Sequence, residues 1–352
     1  MPKRVGFLYE QMVSEENCIL AERLMAKNKP NNRIAKHIGK CAERYGKELS
    51  KMLRNDGWVP GPNRERTIMD SYKGKTRNLK IPCLLDQSVQ YAWLNIATPF
   101  IERRNYFYNC GSIPGAGQTR AVMGLKKWLG KKHPPKYGAV SDIRHFYDTL
   151  PHWVIERSMR RIFKDERFIQ VGLKILNSMN PNGVGLAIGH PSSHWFANLA
   201  LSEIDHSLCR LFPAVKFVRY MDDIGMVCNN KRHLRKALSW LRDQIYRFGM
   251  EIKHTWQLFQ IRLRGLQFLS YRFFPGFTIL SKELMYRISR KVRKASSNLT
   301  PHTAAGILSY MGILRWCDSY NFRKEYIYPH ISIKKCKEVV SHESKNHVCH
   351  AA

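Results

Sequence analysis

The sequence predicts an α+β protein, and three observations carry that prediction. Residues 8–55 set apolar side chains at mostly three- and four-residue spacing, the period of helices, and 281–330 reads as helical and rich in Lys and Arg. Between them, helical stretches alternate with short apolar runs that double back through polar turns, as antiparallel hairpins do. One such run, Lys216 to Met226, carries Asp222-Asp223 in its middle, a placement that costs free energy unless a cation sits there. With 352 residues, 44% of them hydrophobic, the chain can bury real cores.

In chain order, Ile19, Leu20, Leu24 and Met25, then Ile34, Ile38, Cys41, Tyr45, Leu49 and Leu53, mark the first helical region, with Asn31 a candidate cap of its second helix. Trp58-Val-Pro-Gly-Pro-Asn breaks it, and the charged segment 64–79 fits a hairpin turning at Lys73-Gly-Lys. Residues 81–100 form a second helical region with Leu85, Val89, Trp93, Ile96 and Phe100 on a core-facing side. The Gly-rich loop 111–117 is, alone, a weak phosphate signal. A small apolar strand, 137–141, enters Asp142; helices are expected near 153–163 and 168–177, and the loop 180–191 precedes one at 192–212. The acidic hairpin then sets Phe217 and Val218 on one strand, Ile224, Met226 and Val227 on the other, and Tyr220 to Asp223 at the tip. A helix near 231–248 and strands near 251–259 and 265–274 precede the Lys- and Arg-rich helices of 281–330.

Lys and Arg number 59 against 27 Asp and Glu, a formal charge of +32 that favours a polyanionic partner. Nucleic acid fits; a membrane surface fits poorly, because no basic amphipathic helix and no apolar stretch of about 18 residues is present. Met-Pro-Lys-Arg leads into mixed polar sequence, unlike a secretory signal, so a cytoplasmic protein is expected. Nine scattered cysteines are expected to be free thiols. Cys336, His342, His347, Cys349 and His350 are irregularly spaced, which suits a frayed polar terminus better than a metal site.

Asp222-Asp223 alone is an ordinary turn pair. Joined by Asp142 at the end of another strand, it can form a two-metal site that clamps the attacking and leaving oxygens of an in-line phosphoryl displacement. That arrangement looks like the palm of a nucleic-acid polymerase.

Asp142 with Tyr147 five residues on, and Tyr220-Met221-Asp222-Asp223, resemble the first and third palm motifs of reverse transcriptases. Between them, Gly185-Leu-Ala-Ile-Gly-His-Pro-Ser-Ser-His-Trp-Phe-Ala-Asn-Leu-Ala-Leu-Ser-Glu-Ile-Asp205 is similar to the template- and nucleotide-contacting motif of the reverse transcriptases of diversity-generating retroelements. Lys3-Arg-Val-Gly-Phe-Leu-Tyr-Glu, Arg264-Gly-Leu-Gln-Phe-Leu-Ser-Tyr-Arg, and Ser309-Tyr-Met-Gly with Arg315-Trp-Cys-Asp-Ser-Tyr-Asn resemble that family's N-terminal segment, primer grip and thumb. The resemblance implies a right-hand polymerase fold: an N-terminal helical extension (1–60), fingers (61–136), an antiparallel palm (137–278), a helical thumb (279–335) and a polar tail (336–352). It implies an RNA-directed DNA polymerase making adenine-mutagenised cDNA from a retroelement RNA. Its partners would be an RNA template, the RNA/cDNA hybrid, dNTPs and a small basic oligomeric accessory variability protein.

The resemblance also implies roles. Asp142, Ile143, Asp222 and Asp223 would hold two Mg2+ ions, replaceable by Mn2+, with the three Asp catalytic. Tyr147 would exclude a 2′-OH. Arg64, Arg66, Lys75 and Arg77 would grip the triphosphate, beside Ser193, His194, Asn198 and a Lys253 able to protonate or neutralise pyrophosphate. For Ser192 and Ser193, helix capping and template contact are both open readings. Tyr220, Met221, Gly265, Phe268, Leu269, Lys291 and Lys294 would hold primer and template. The chain departs from the family at His194 (usually Gln), Ser270 (usually Gly), Gln87 (commonly Arg), and Ala116 and Thr119, where a basic residue and a His are expected; Arg120 can stand in for the first. An antiphage or retron-like reverse transcriptase, and a non-catalytic RNA-binding scaffold, are the alternatives.

Overall fold

The structure is a computed structural model that describes residues 4–70, 75–130 and 132–349. Four helices open it, α1 (Tyr9–Met12), α2 (Glu15–Lys27), α3 (Arg33–Lys40) and α4 (Ala42–Arg54). Ser14 caps α2, and Asn32 rather than Asn31 caps α3 by accepting from the Ala35 amide at 3.0 Å. The helical period is as expected, but the buried stripe is shifted. Cys18, Ala21, Met25, Leu49 and Leu53 are buried, whereas Leu20 and Ile34 are 47% and 65% exposed. Small residues win the inner face because α2 and α4 pack closely: a Cβ on Gly46 would lie 2.7 Å from the Ile19 Cα.

Strands β1 (Arg64–Asp70) and β2 (Lys75–Ile81) form the expected hairpin, its Lys73-Gly-Lys turn falling largely outside the described residues. The long helix α5 (Leu84–Arg104) anchors the larger core. Its Trp93 is fully buried, stacked on Phe168 at 5.3 Å, and donates its indole N–H to the Phe168 carbonyl at 3.1 Å. Helix α6 (Gly117–Leu129) was not anticipated, because its Gly-rich start reads as loop; Ala121, Val122, Leu125 and Leu129 nonetheless form a buried helical stripe.

Next come β3 (Tyr137–Asp142), α7 (Phe146–Thr149), α8 (His152–Ile162), α9 (Glu166–Met179), α10 (Ser193–Leu211), β4 (Lys216–Tyr220), β5 (Asp223–Cys228), α11 (Lys231–Arg247) and β6 (Gln257–Gln260). The four strands make an antiparallel sheet ordered β4-β5-β3-β6, with α11 packed on β3 and β5. The strand expected over 251–259 starts only at Gln257. Ahead of it the Lys253 amide donates to the Asp142 carbonyl at 2.8 Å, so this stretch caps the end of β3 instead of extending the sheet. Phe217 and Met226 face one core while Val218 and Val227 face the other. Burial on both faces explains why this hairpin is apolar without alternation.

After α12 (Ile261–Arg264), a small sheet of β7 (Leu266–Phe268), β8 (Tyr271–Phe274) and β9 (Phe277–Leu280) leads into α13 (Lys282–Ser297), α14 (Pro301–Leu314) and α15 (Tyr320–Tyr326). The last helix, α16 (Ile333–Cys349), corrects the expectation of a frayed terminus. It packs along α14 and buries Cys336, whose apolar contacts order a segment too polar to read as core. Its Cys349 and His347 side chains, and His350, lie outside the described residues. The eight cysteines described are free thiols. Among the described residues no helix is long and apolar enough to cross a membrane.

The loop 180–192 ties the β1–β2 hairpin to the α7–α8 segment, where Leu186 N–H reaches the Tyr147 carbonyl and Gly185 N–H the Leu150 carbonyl. The Lys80 amide donates to the Ile188 carbonyl at 2.9 Å, and Gly189 at φ +123° is required there, since a Cβ would sit 2.6 Å from the Lys80 carbonyl oxygen. Buried His190 bridges the same junction, its Nδ1 3.0 Å from Gln90 Nε2 and its Nε2 3.0 Å from Asn63 Oδ1. These partners call for a neutral ring protonated at Nε2, and burial, aided by Lys80, pushes the imidazole down to about 4. In the unfolded chain the ring takes up its proton near the ordinary 6.5. The unfolded state therefore binds more protons between these values, and stability falls as pH drops from 6.5 toward 4. His190→Gln keeps an acceptor and a donor without the titration, so its thermal midpoint should fall less on acidification than the wild type's. Equal slopes in a pH series of melting curves would remove His190 as the cause.

Candidate catalytic cleft

The acidic hairpin turns in two residues. Tyr220 pairs with Asp223, leaving Met221 and Asp222 as the loop, with Met221 at φ +56°. Hairpin loops of this length favour positive φ and usually supply it with Asn or Gly; an unbranched bulky residue there costs on the order of 1–3 kcal/mol. Neighbours hold the strained residue. Segment 108–110 runs beside β4, with Arg219 N–H donating to the Tyr108 carbonyl at 2.9 Å and Cys110 N–H to the Arg219 carbonyl at 2.7 Å. Gly111 then abuts the turn so closely that a Cβ would lie 2.5 Å from the Met221 nitrogen. From the other side the Arg219 guanidinium donates to the Met221 carbonyl at 3.1 Å.

Asp142, at the end of β3, stands opposite Asp223 in the sheet register, and Ile143 N–H reaches the Asp222 carbonyl at 3.4 Å. The Lys253 ammonium pairs with Asp142 Oδ2, while Oδ1 is buried with no partner. A buried, unmatched carboxylate oxygen beside a second acid suits a hard divalent cation, and the ammonium supplies positive charge at the same carboxylate. Among the described residues no three His, Cys, Asp or Glu side chains converge as a ready cage. The fit is therefore to an ion held by one or two carboxylates, with substrate oxygens completing its shell.

These acids open onto a cleft of about 530 Å³ lined by Asp142, Tyr220 and Asp223 on one side and by Gly265, Phe268 and Leu269 of the expected primer grip on the other. Arg264, Arg272 and Arg287 also line it. Arg264 and Arg272 begin and end the segment that resembles a primer grip, and Arg287 belongs to the Lys- and Arg-rich run of 281–330. Gly265, at φ +71°, is structural as well: a Cβ would meet Arg272 and Phe274 side chains at 2.7 Å. Phe268 is only 4% exposed and packs toward Gly225 of β5.

Tyr147 lies near Asp222, Tyr220 and Arg77. Burial pushes its hydroxyl up to about 12, the Asp222 charge and Tyr220 adding to this and Arg77 opposing it. The β1–β2 register puts Arg64, Arg66 and Arg77 on one face of their hairpin. Other expected contacts point elsewhere. Met221 is buried on Gly111, so of the adjacent pair Tyr220 and Met221, both expected at the primer, Tyr220 lines the cleft and Met221 does not. Ser192 and Ser193 neither cap α10 nor face open space: their hydroxyls donate to Gln90 Oε1 at 2.9 Å and to the Ala187 carbonyl at 2.5 Å. Asn198 is fully buried, donating to the Gly111 carbonyl at 2.8 Å. Each hydroxyl or amide finds its partner inside the protein because α10 is enclosed on nearly every side. His194 is partly buried beside Trp195, ring centroids 5.4 Å apart, and burial lowers its pKa. The Lys291 ammonium lies over the Tyr310 ring at 5.5 Å, within the α13–α14 pair, whereas Lys294 is exposed.

An antiparallel sheet that brings carboxylates from two strands to a cleft also lined by arginines is the architecture of a template-directed nucleotidyltransferase. A family model described as reverse transcriptase (RNA-dependent DNA polymerase) matches residues 62–273, more than half of the chain, which therefore belongs to that family. The curated protein YkfC of Escherichia coli (strain K12) is 25% identical over 169 residues, 46% of this chain and 44% of the relative, so the chain spans under half that relative's length. Solved structures with a likeness include apo telomerase from Candida tropicalis truncated from its C-terminal domain (TM-score 0.44, 14% identity, 68% of this chain and 59% of that one). Another is telomerase from Candida albicans in complex with a fragment of telomeric RNA (TM-score 0.49, 11% identity, 75% and 54%). At these TM-scores the likeness is distant.

Because a Cβ on Gly111 would meet the Met221 backbone nitrogen at 2.5 Å as well as the Met221 side chain, Gly111→Ala should shift the Met221 turn while leaving both cores intact. Nucleotide incorporation should fall about 100-fold, the scale of an ångström-sized misplacement, with the melting temperature little changed. Full activity in a folded Gly111→Ala protein would show that the turn tolerates the shift.

Proposed function

We propose that the chain is an RNA-directed DNA polymerase of the diversity-generating retroelement branch, copying a template RNA into adenine-mutagenised cDNA. The observation that carries the polymerase reading is the meeting of Asp142 and Asp223 in register, with Asp222 at the same turn and Tyr147 against it. An RNA-binding scaffold has no use for a buried, unmatched carboxylate oxygen at Asp142, a residue that lines the cleft. The branch assignment rests on the 185–205 segment, whose Gly185 and Gly189 adopt positive φ where backbone approaches closely.

In this reading Asp142, Asp222, Asp223 and the Ile143 carbonyl would hold two Mg2+ ions, for which Mn2+ could substitute. Bound there, the metal would offset charge on the transferring phosphoryl group and activate the primer 3′-oxygen. Tyr147 forms the wall beneath the incoming sugar. Arg64, Arg66 and Arg77 share the face that receives the triphosphate, since guanidinium forks match phosphate oxygens. Lys253 Nζ, already on Asp142, stands ready to neutralise the leaving pyrophosphate or pass it a proton. Leu269, Gly265 and Tyr220 border the primer end, and the exposed Lys294 meets the duplex backbone. The partners are template RNA, the RNA/cDNA hybrid, dNTPs and a small accessory protein, in the cytoplasm.

Asp222→Ala should abolish divalent-metal-dependent dNTP incorporation on an RNA template while RNA binding survives, because one ligand is lost and the basic surface is not; activity retained by the purified variant sinks the site. Tyr147→Ala should admit ribonucleotides. Competition between dNTP and rNTP on one primer–template reads this directly, and unchanged discrimination moves the gate away from Tyr147.

A further inference from the structure

We propose that the buried Asp205–Arg219 pair is a positioning element for the catalytic turn, acting through the Met221 carbonyl; the proposal rests on the polymerase reading above. Arg219 is 1% exposed, and neither it nor Asp205 lines the cleft. Its Nε donates to both Asp205 oxygens at 2.9 and 3.0 Å, and its Nη2 to Oδ2 at 2.6 Å. That fork fixes the plane of the guanidinium. Nη1 is thereby aimed at the Met221 carbonyl, 3.1 Å away, and at Asn198 Oδ1, 3.4 Å away.

The grip on the turn comes from both sides and from a single helix. Asp205 and Asn198 lie seven residues apart on α10, on one face, with the sheet hairpin beside them. Asp205 works through Arg219. Asn198 receives a hydrogen bond from Asn109 Nδ2 at 3.1 Å and donates to the carbonyl of Gly111, the residue that abuts Met221. Met221 does not hold positive φ by its own preference, and Asp222 and Asp223 follow it directly in the chain. Any rotation of the Met221 peptide therefore displaces the acids, so α10 sets where the carboxylates stand relative to Asp142. A lysine at 219 keeps the charge but has one nitrogen, which cannot fork to Asp205 and reach the carbonyl together.

The bland alternative is that the pair only stabilises the fold. Two variants separate the readings: Arg219→Lys, and the double variant Asp205→Leu with Arg219→Met, which removes both charges so that neither is left buried alone. Each is assayed for melting temperature, primer–template RNA affinity, dNTP kcat and KM, and Mn2+ affinity without nucleotide by electron paramagnetic resonance. Positioning predicts that both variants fold and bind RNA like the wild type, with kcat and Mn2+ affinity each about 10- to 100-fold lower, as for groups that orient metal ligands. A folded double variant with wild-type kcat and Mn2+ affinity overturns the proposal. If the double variant does not fold, wild-type values in Arg219→Lys overturn it instead. Incorporation by the wild type tests the polymerase reading alone, and Mn2+ affinity is read without turnover, so the two readings fail separately.

Discussion

A hairpin buried on both faces must still present carboxylates to an open cleft, and the structure meets that constraint with an ion pair beneath the turn. Arg219 and Asp205 are 1% and 2% exposed. Burial pushes the Asp205 carboxyl up, and the three short bonds from Arg219 oppose that push. Removing one partner of such a pair typically costs about 3–5 kcal/mol, whereas replacing both by apolar groups is often neutral. Stability alone is therefore a weak reason for an arginine in this core. Its use is directional: it joins α10 to β4 and to the strained residue before the acids.

The same logic of enclosed polar groups recurs where the start of the β1–β2 hairpin meets the 180–192 loop and α5. Asn63, His190, Gln90 and Ser192 form one hydrogen-bonded chain, and partly unmade networks of this kind are costly in a low-dielectric interior. The loop 180–192 is thus rigid on the side that faces Tyr147, whose carbonyl accepts the Leu186 N–H at 2.6 Å. Tyr147 and the arginine-bearing hairpin are thus joined through the backbone of this loop.

Electrostatics divides the molecule in two scales. The overall charge of +32 acts over a Debye length and draws in a polyanion without specifying which. Within the cleft Asp142, Asp223 and Glu283 stand among Arg264, Arg272 and Arg287, and Lys253 pairs with Asp142.

The sequence by itself determined the α+β class, the hairpin of β4 and β5, the acid at the end of β3 and the basic character of the surface. Each of these is local: a period of two or of 3.6, a polar pair in an apolar run, a count of charges. Tertiary structure alone decided the rest. It sent the hydroxyls of Ser192 and Ser193 inward, turned Lys291 onto Tyr310, shortened the strand before Gln257 and made a helix of the chain's last segment. Asp205 and Arg219 were both visible in the sequence, one near the end of a helix and one in a strand, and nothing in either segment couples them. Their bond exists because α10 and β4 fold against each other, and a contact between distant segments follows from packing, which no local pattern encodes.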